Sequence, residues 1–467
     1  MIKVISRYEI GNFVIIGFLF VVLRIIFWSL PIPISYAELR YLSLGEQLGN
    51  HLLAYSQVNT SIAPLAAFTY YLFDLLFGES RIAHSIFAMA LTLFQAIIFN
   101  DIIGKYKLSG NASSLPFLFF CLLSSCVYDF TILSPHLLGF TFILLALSKL
   151  FSNYEKFQSI EFIFFIGFYI GLATLFYIPF IFWSVGFLLC LIFFTSINGK
   201  HIFLFINGLL LPCLFVYTYY LLTGNSTHLL HFISSYQLGD FVLLQTISAS
   251  LLFLSPLFIF AILGIVHAGS FDNRTISVKQ VSLSLFTLLI TSLGVIIFFQ
   301  KDSFSIFYTE LPFLILYLSH FFNERKSWLY SFLFILLLAY GLSTTFLLSY
   351  PNYLSKQKAP TVPHPFVTKE NPFSNKKVLI LGANKSYWKG NTPTTLFFNW
   401  DQSKQYFNYI DSPLNAAIVY KEITTYLPEV IIDKNNLLLK AKKRIPQLDL
   451  IYKEKNGFYY LKKELIK

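Results

Sequence analysis

Long apolar runs, repeated along most of the chain, constrain this sequence more than any other feature. Eleven of them, about 16–26 residues each, can be drawn at 12–30, 82–103, 115–130, 135–150, 162–177, 179–194, 202–222, 242–267, 281–299, 304–322 and 328–349. A helix of about 20 apolar residues crosses a ~30 Å hydrocarbon layer. The rest of the composition agrees, with 56% hydrophobic and only 12% charged residues, where a soluble domain carries about 25% charged. An ordinary soluble enzyme, a disulfide-built secreted scaffold and a disordered chain are all excluded. The expectation is an all-α polytopic membrane domain with about 11 transmembrane helices. The first run lacks a small-residue cleavage site and reads as a retained helix.

Charge divides the chain in two. Residues 350–467 hold 19 Lys and Arg against 9 Asp and Glu, whereas the preceding 349 residues hold 15 against 14. Short-loop cations set membrane orientation. Lys3, Arg7, Lys105, Lys107, Lys149, Lys156, Lys200, Arg274, Lys279, Arg325 and Lys326 fall on one set of alternate loops. That pattern puts the N-terminus in the cytoplasm and the basic tail outside, since long domains cross largely regardless of charge. The tail opens with a proline-rich connector, 350–375. Beyond it, 377–382 and 429–433 read as strands, 401–409 and 413–426 as helices, and 458–461 as a late strand. A small basic α/β domain over 376–467 is expected. Its strand KVLILG is followed by Ala383 and Asn384, not by a GxGxxG fingerprint, so no nucleotide site is assigned. Beside a membrane, such a domain faces anionic headgroups or phosphorylated substrates rather than nucleic acid. The four cysteines all lie inside apolar runs and form no CxxC pair, which gives neither a disulfide framework nor a zinc site.

Residues 31–81 are too polar to span and too apolar for a free loop. Ala37, Tyr41, Leu44 and Leu48 recur at helical spacing among Glu38, Arg40, Glu46 and Gln47. Residues 62–77 then offer aromatics and leucines around Asp74. Two interfacial helices on the outer leaflet satisfy both stretches.

Ionisable groups at an apolar–water boundary are costly and therefore informative. A carboxylate there could take a proton from an acceptor hydroxyl, or hold a divalent metal against a phosphate leaving group. Glu38, just after Pro31-Ile-Pro33, leads the set; the plainer alternative is a helix N-terminal acid that favours the dipole. Arg24, about two turns inside the first span, either snorkels to the interface or holds a lipid phosphate. Asp129 and His136, on either side of Ser134-Pro135, are candidate second metal ligands or residues of a solvated turn. His228 and His231 are three apart but lack a third ligand. Glu310 precedes Pro312 inside a span, with Lys301 as a possible partner.

The first loop also carries a resemblance. Ala37-Glu38-Leu39-Arg40-Tyr41, then Gly49 through Tyr55, Ala63-Pro64-Leu65, and Phe77-Gly78-Glu79-Ser80-Arg81 before a span resemble the opening of GT-C-type membrane glycosyltransferases, in their protein mannosyltransferase and aminoarabinose transferase branch. The likeness covers roughly residues 10–150. It implies a GT-C-like membrane domain over 1–349 that moves a sugar from a polyprenyl-phosphate donor to a glycan, lipid or protein acceptor. Transfer would take place on the outer face of a bacterial inner membrane. Glu38 matches the second acid of the family's Asp-Glu-x-x-Tyr pattern and is implied as catalytic. Arg24, Arg40, Tyr41 and Tyr55 are expected in substrate binding, and Glu38, Asp129 and His136 around a divalent metal. The family's first acid is replaced by Ala37, and the region after Tyr55 reads Ser-Gln-Val-Asn. Two further readings therefore stand beside transfer. One is a non-catalytic GT-C-like scaffold whose tail binds an envelope protein; the other is a lipid-glycan flippase or polymerase.

Overall fold

The computed structural model describes residues 8–29, 34–50, 52–58, 60–106, 108, 112–126, 128–155, 160–195, 197–234, 276–299, 304–324, 330, 332–337, 339–340, 376–382, 387, 391–393, 400–433, 435–455 and 457–462. The expected span 242–267, the connector 350–375, and His51, Lys107, Asp240, Arg274, Lys301, Asp302, Arg325 and Lys326 lie outside the described residues.

The first part of the chain is helical. Helix α1 (Ile10–Ser29) buries one stripe, Ile16, Phe20, Arg24 and Phe27, and exposes Val14, Ile15, Phe18, Leu19, Ile25 and Ile26. That stripe recurs at the spacing of a single helix face. Two shorter helices follow, α2 (Tyr36–Gly49) and α3 (Pro64–Phe77), and then the long α4 (Arg81–Lys105). Next come α5 (Leu115–Leu123), a 3-10 turn at Tyr128–Phe130, α6 (Pro135–Glu155) and α7 (Ile160–Phe176). A 3-10 turn at Ile178–Phe182 leads into α8 (Trp183–Phe194), followed by α9 (Gly199–Leu222) and α10 (Ser226–Ser234). The series closes with α11 (Ile276–Phe299), a 3-10 turn at Phe304–Glu310 and α12 (Leu311–Glu324). Among the described residues, four helical stretches, Ile10–Ser29, Arg81–Lys105, Pro135–Ser152 and Gly199–Leu222, are both long and apolar enough to cross a membrane.

Three of the expected spans are not single α-helices; 179–194 opens with the 3-10 turn at Ile178–Phe182 before α8 begins. The run 115–130 stops being helical after nine residues, about 14 Å of rise. There the Ser124 and Ser125 hydroxyls both turn back onto the Cys121 carbonyl, at 3.1 and 2.9 Å. The run 304–322 divides at Leu311, because Pro312 has no N–H to donate and fits only the first turn of a new helix. Helix α3, at 14 residues, covers about 21 Å. It buries Ala66, Ala67 and Tyr70 and turns Phe68, Leu72, Leu75, Leu76 and Phe77 outward.

Close helix contacts rest on glycine. A β-carbon on Gly167 would strike the Phe205 carbonyl, one on Gly171 the Leu209 carbonyl, and one on Gly208 the Phe164 carbonyl. Helices α7 and α9 therefore meet backbone to backbone through a Gly-x-x-x-Gly pair and its partner glycine. The α2–α3 contact is built alike. A β-carbon on Gly45 would sit 2.8 Å from the Tyr70 carbonyl, and one on Gly49 would strike the Asp74 carboxylate.

The tail holds a five-stranded mixed sheet. Strand β1 (Lys377–Leu381) pairs in parallel with β2 (Thr392–Pro393) and with β3 (Val430–Asp433). Strand β5 (Phe458–Leu461) runs antiparallel between β3 and the edge strand β4 (Tyr452–Lys455). Helices α13 (Trp400–Asn408) and α14 (Pro413–Tyr426) connect β2 to β3, and α15 (Leu437–Arg444) and α16 (Gln447–Ile451) connect β3 to β4. Side chains alternate between faces. Leu379, Leu381 and Ile431 pack under Phe407, Val419, Ile423 and Leu438. Val378, Ile380, Val430 and Ile432 belong to the same contiguous core as the helical part.

Candidate functional site

Three separate segments, each fixed by local rules, bring Glu38, Arg81 and Tyr128 together. Ser35 caps α2, its Oγ accepting from the Glu38 N–H at 3.1 Å. Ser35-Tyr36-Ala37-Glu38 is the S-x-x-E sequence of a capping box. The Glu38 side chain is diverted from that role and points instead toward α4. The corner before α4 needs Gly78, whose φ of 62° and ψ of −156° suit only glycine. Ser80 then caps α4, accepting from the Ala83 N–H at 3.2 Å, and leaves Arg81 as the first helical residue. Tyr128 opens the 3-10 turn between α5 and α6, where Thr131 Oγ1 donates to its carbonyl at 2.7 Å.

The three side chains close a ring of hydrogen bonds. Arg81 Nε donates to Glu38 Oε1 at 2.8 Å. Tyr128 donates its hydroxyl to Glu38 Oε2 at 2.5 Å and accepts from Arg81 Nη2 at 2.5 Å. Glu38 is almost wholly buried, with 5% of its side chain exposed, whereas Arg81 is 40% exposed. Both face a cavity of about 140 Å³ with an apolar wall of Phe27, Trp28, Ile82 and Ile132 and the hydroxyls of Ser85 and Thr131. A carboxylate offers about four acceptor positions, and the Arg81 and Tyr128 donors described here fill two. The arrangement can accept a further proton donor at Glu38, and the exposed part of Arg81 presents a positive charge to the cavity.

The other expected site residues lie elsewhere. Arg40, two residues from Glu38, lies on a different side of α2, its guanidinium carbon 5.6 Å from the Tyr41 ring centre. Tyr41 stacks on Tyr70 at 5.0 Å, and Tyr70 donates to the Leu133 carbonyl at 2.8 Å. Tyr55 is held with φ at 67°; it donates to the Ile62 carbonyl at 2.8 Å and stacks on Phe232 at 4.4 Å. Tyr41 and Tyr55 are buried packing residues, and neither lines the cavity. Arg24 is buried within α1 and donates from Nη2 to the Ser124 carbonyl at 3.1 Å. It does not line the cavity either. The expected substrate set is thus dispersed over three places, and only Glu38 stands at the cavity.

The expected metal set is not assembled. Asp129 sits in the 3-10 turn beside Tyr128, and His136 is buried with its ring 3.9 Å from that of Tyr177. Neither lines the cavity with Glu38. Among the described residues, no three His, Cys, Asp or Glu side chains group closely enough to share a metal ion. Glu38 has a guanidinium and a phenol as its neighbours, a donor set that does not fit a divalent cation. His228 and His231 are both exposed on α10.

Two members of the triad were not among the site residues expected from sequence. Arg81 carries a signal in the Gly78-Glu79-Ser80 corner, which fixes it at a helix start. Tyr128 lies inside an apolar run, and nothing in its local sequence separates it from the packing aromatics around it.

No family model matches the sequence, and no curated protein sequence does. Among solved structures, the fold is similar to the crystal structure of the Archaeoglobus fulgidus oligosaccharyltransferase in its apo form. The identity is 10%, covering 95% of this chain and 72% of that one, with a TM-score of 0.49. A second crystal structure of that protein, in complex with Zn and sulfate, gives 12% identity, 94% and 71% coverage, and a TM-score of 0.47.

Proposed function

We propose that this chain is a membrane glycosyltransferase of the GT-C kind, which moves a sugar from a polyprenyl-phosphate donor to an envelope acceptor. The reading rests on one observation: a single buried carboxylate shares a small, apolar-walled cavity with a half-exposed arginine. In this reading the donor phosphate approaches the exposed part of Arg81 and competes for its guanidinium, whose planar fork suits phosphate. That competition loosens the Arg81–Glu38 pair and releases the carboxylate as general base. The acceptor hydroxyl attacks the anomeric carbon, its proton passes to Glu38, and the sugar–phosphate bond breaks with its electron pair on the phosphate. Phe27, Trp28, Ile82 and Ile132 offer the apolar surface that a polyprenyl tail needs. The proposal keeps about eleven spans, a cytoplasmic N-terminus, the outer face of a bacterial inner membrane as the reaction side, and residues 376–467 as an extracytoplasmic cap over the site.

A second reading is favoured by the cavity's composition. Glu38 is the one carboxylate among the described residues that line it, and it is already paired. A GT-C-like scaffold that has lost transfer, and binds an envelope protein through its tail, would look the same. Purified chain in proteoliposomes, supplied with polyprenyl-phosphate sugars and envelope acceptors, separates the two. Transfer by the wild type and its loss in Glu38→Gln support the enzyme. Full transfer by Glu38→Gln would eliminate Glu38 as the base, and no transfer with any donor favours the scaffold.

A further inference from the structure

A guanidinium buried in a membrane-spanning helix is expensive to keep, and Arg24 is only 3% exposed. Its Nε has no hydrogen-bond partner among the described residues. The titratable groups that act on its charge are Tyr308, Cys121 and Cys126, none of them a carboxylate. The charge rests on the Phe20 ring at 5.0 Å and on the bond from Nη2 to the Ser124 carbonyl. A surface-seeking arginine would be exposed, and Arg24 is not.

Ser124 is the capping residue of α5, whose last carbonyls have no partner within the helix. A cation at that end is favoured by the helix dipole as well as by the hydrogen bond. From Ser124 the chain tightens through two turns, Ser125 N–H to the Leu122 carbonyl at 3.0 Å and Cys126 N–H to Leu123 at 3.1 Å, and then reaches Tyr128. One face of α1 holds this segment twice. Arg24 grips its start, and Phe27, three residues on, lies 6.1 Å from the Tyr128 ring.

We infer that Arg24 is a positioning residue: it holds the end of α5 so that the Tyr128 hydroxyl meets Glu38 and Arg81. The inference concerns the ring of three side chains and stands whether or not the transfer reading does.

The test places 3-fluorotyrosine at position 128 of the full chain in lipid nanodiscs and follows its fluorine resonance beside thermal unfolding. Glu38→Gln sets the scale, because it changes the group that Tyr128 donates to. Arg24→Met is expected to displace or broaden the resonance to a comparable extent, and Arg24→Lys, which restores a donor, to return it part of the way. Ile16→Ala, about two turns away on the same buried stripe of α1, is expected to lower the melting temperature and leave the resonance in place. If Arg24→Met does not fold, Arg24→Lys alone decides: a resonance between the wild-type and Glu38→Gln positions supports the inference. An unmoved resonance with lowered stability in Arg24→Met, or in Arg24→Lys where Arg24→Met does not fold, overturns it and makes Arg24 a packing residue. A resonance in wild type that moves on adding inorganic phosphate, and does not in Arg24→Met, also overturns it, because Arg24 would then be an anion ligand.

Discussion

Arg81 Nε and Glu38 Oε1 meet at 2.8 Å across 43 residues of sequence, one side chain 40% exposed and the other almost wholly buried. The asymmetry sets what each contributes. Glu38 has been taken out of water and depends on its donors, while Arg81 could solvate itself if the pair were broken. Removing the arginine therefore leaves an uncompensated buried carboxylate, which costs more than the pair itself contributes. Arg81→Met is expected to lower stability by about 2 kcal/mol, at the scale of a lost charged hydrogen bond, and Arg81→Met with Glu38→Gln to recover most of it. Thermal unfolding in detergent checks both. A double variant no better than the single would show that the unpaired Glu38 carboxylate is not the source of the loss.

Tyr128 both donates to Glu38 and accepts from Arg81, so Tyr128→Phe removes two bonds while leaving the ring. A loss of about 1–2 kcal/mol is expected, within the range for hydrogen bonds to charged groups. The effects of Tyr128→Phe and Glu38→Gln should combine to less than their sum, since both act on one network. Strict additivity in a double-mutant cycle would argue that the ring of three does not act as a unit.

How much of this was legible beforehand depends on whether a signal is local. Helix α14 and strand β5 stand where hydrophobic pattern and turn residues put them, because Pro413 starts one and Gly457, with φ at 76°, precedes the other. Strand β4 was invisible, since Tyr-Lys-Glu-Lys has no apolar run and gets its extended form from pairing with β5. Among the helices, apolar length overstated continuity, because Ser124 and Pro312 interrupt segments that remain hydrophobic throughout. At the candidate site, Glu38 is singled out by sequence for its place just after Pro31-Ile-Pro33, and it lines the cavity. Arg40, Tyr41 and Tyr55 were expected beside it because they are close in sequence. A helix turns 100° per residue, and two residues are enough to send Arg40 to another side. Tyr128 reaches Glu38 only through tertiary packing across 90 residues, which no local pattern encodes.

The glycine contacts between α7 and α9 yield a sharper stability test than any large core side chain. At Gly167 and Gly208 the atoms in the way are backbone carbonyls, which cannot rotate aside. Gly167→Val is expected to cost about 3 kcal/mol or more, at the upper end of overpacking effects. Gly199→Ala, at the start of α9 with open space around it, should change little. Comparable melting temperatures for Gly167→Val and wild type would mean that the two helices are not in backbone contact.

Asp74 gives a pH dependence whose sign can be worked out. Its carboxyl is pushed above the ordinary range, first by burial against α2 and then by the neighbouring Glu79. A carboxyl raised in the folded state binds its proton more tightly there than in the unfolded chain. Its contribution to stability is therefore full below the unfolded value and is lost as pH rises through the folded one. Asp74→Asn removes that loss. The variant is expected to melt higher than wild type at neutral pH, with the gain shrinking as pH falls toward about 4, near the unperturbed carboxylate value. An equal gain at both ends would assign the effect to amide packing against Gly49. A lower melting temperature at neutral pH would mean that the carboxylate charge is itself stabilising, which contradicts the burial argument.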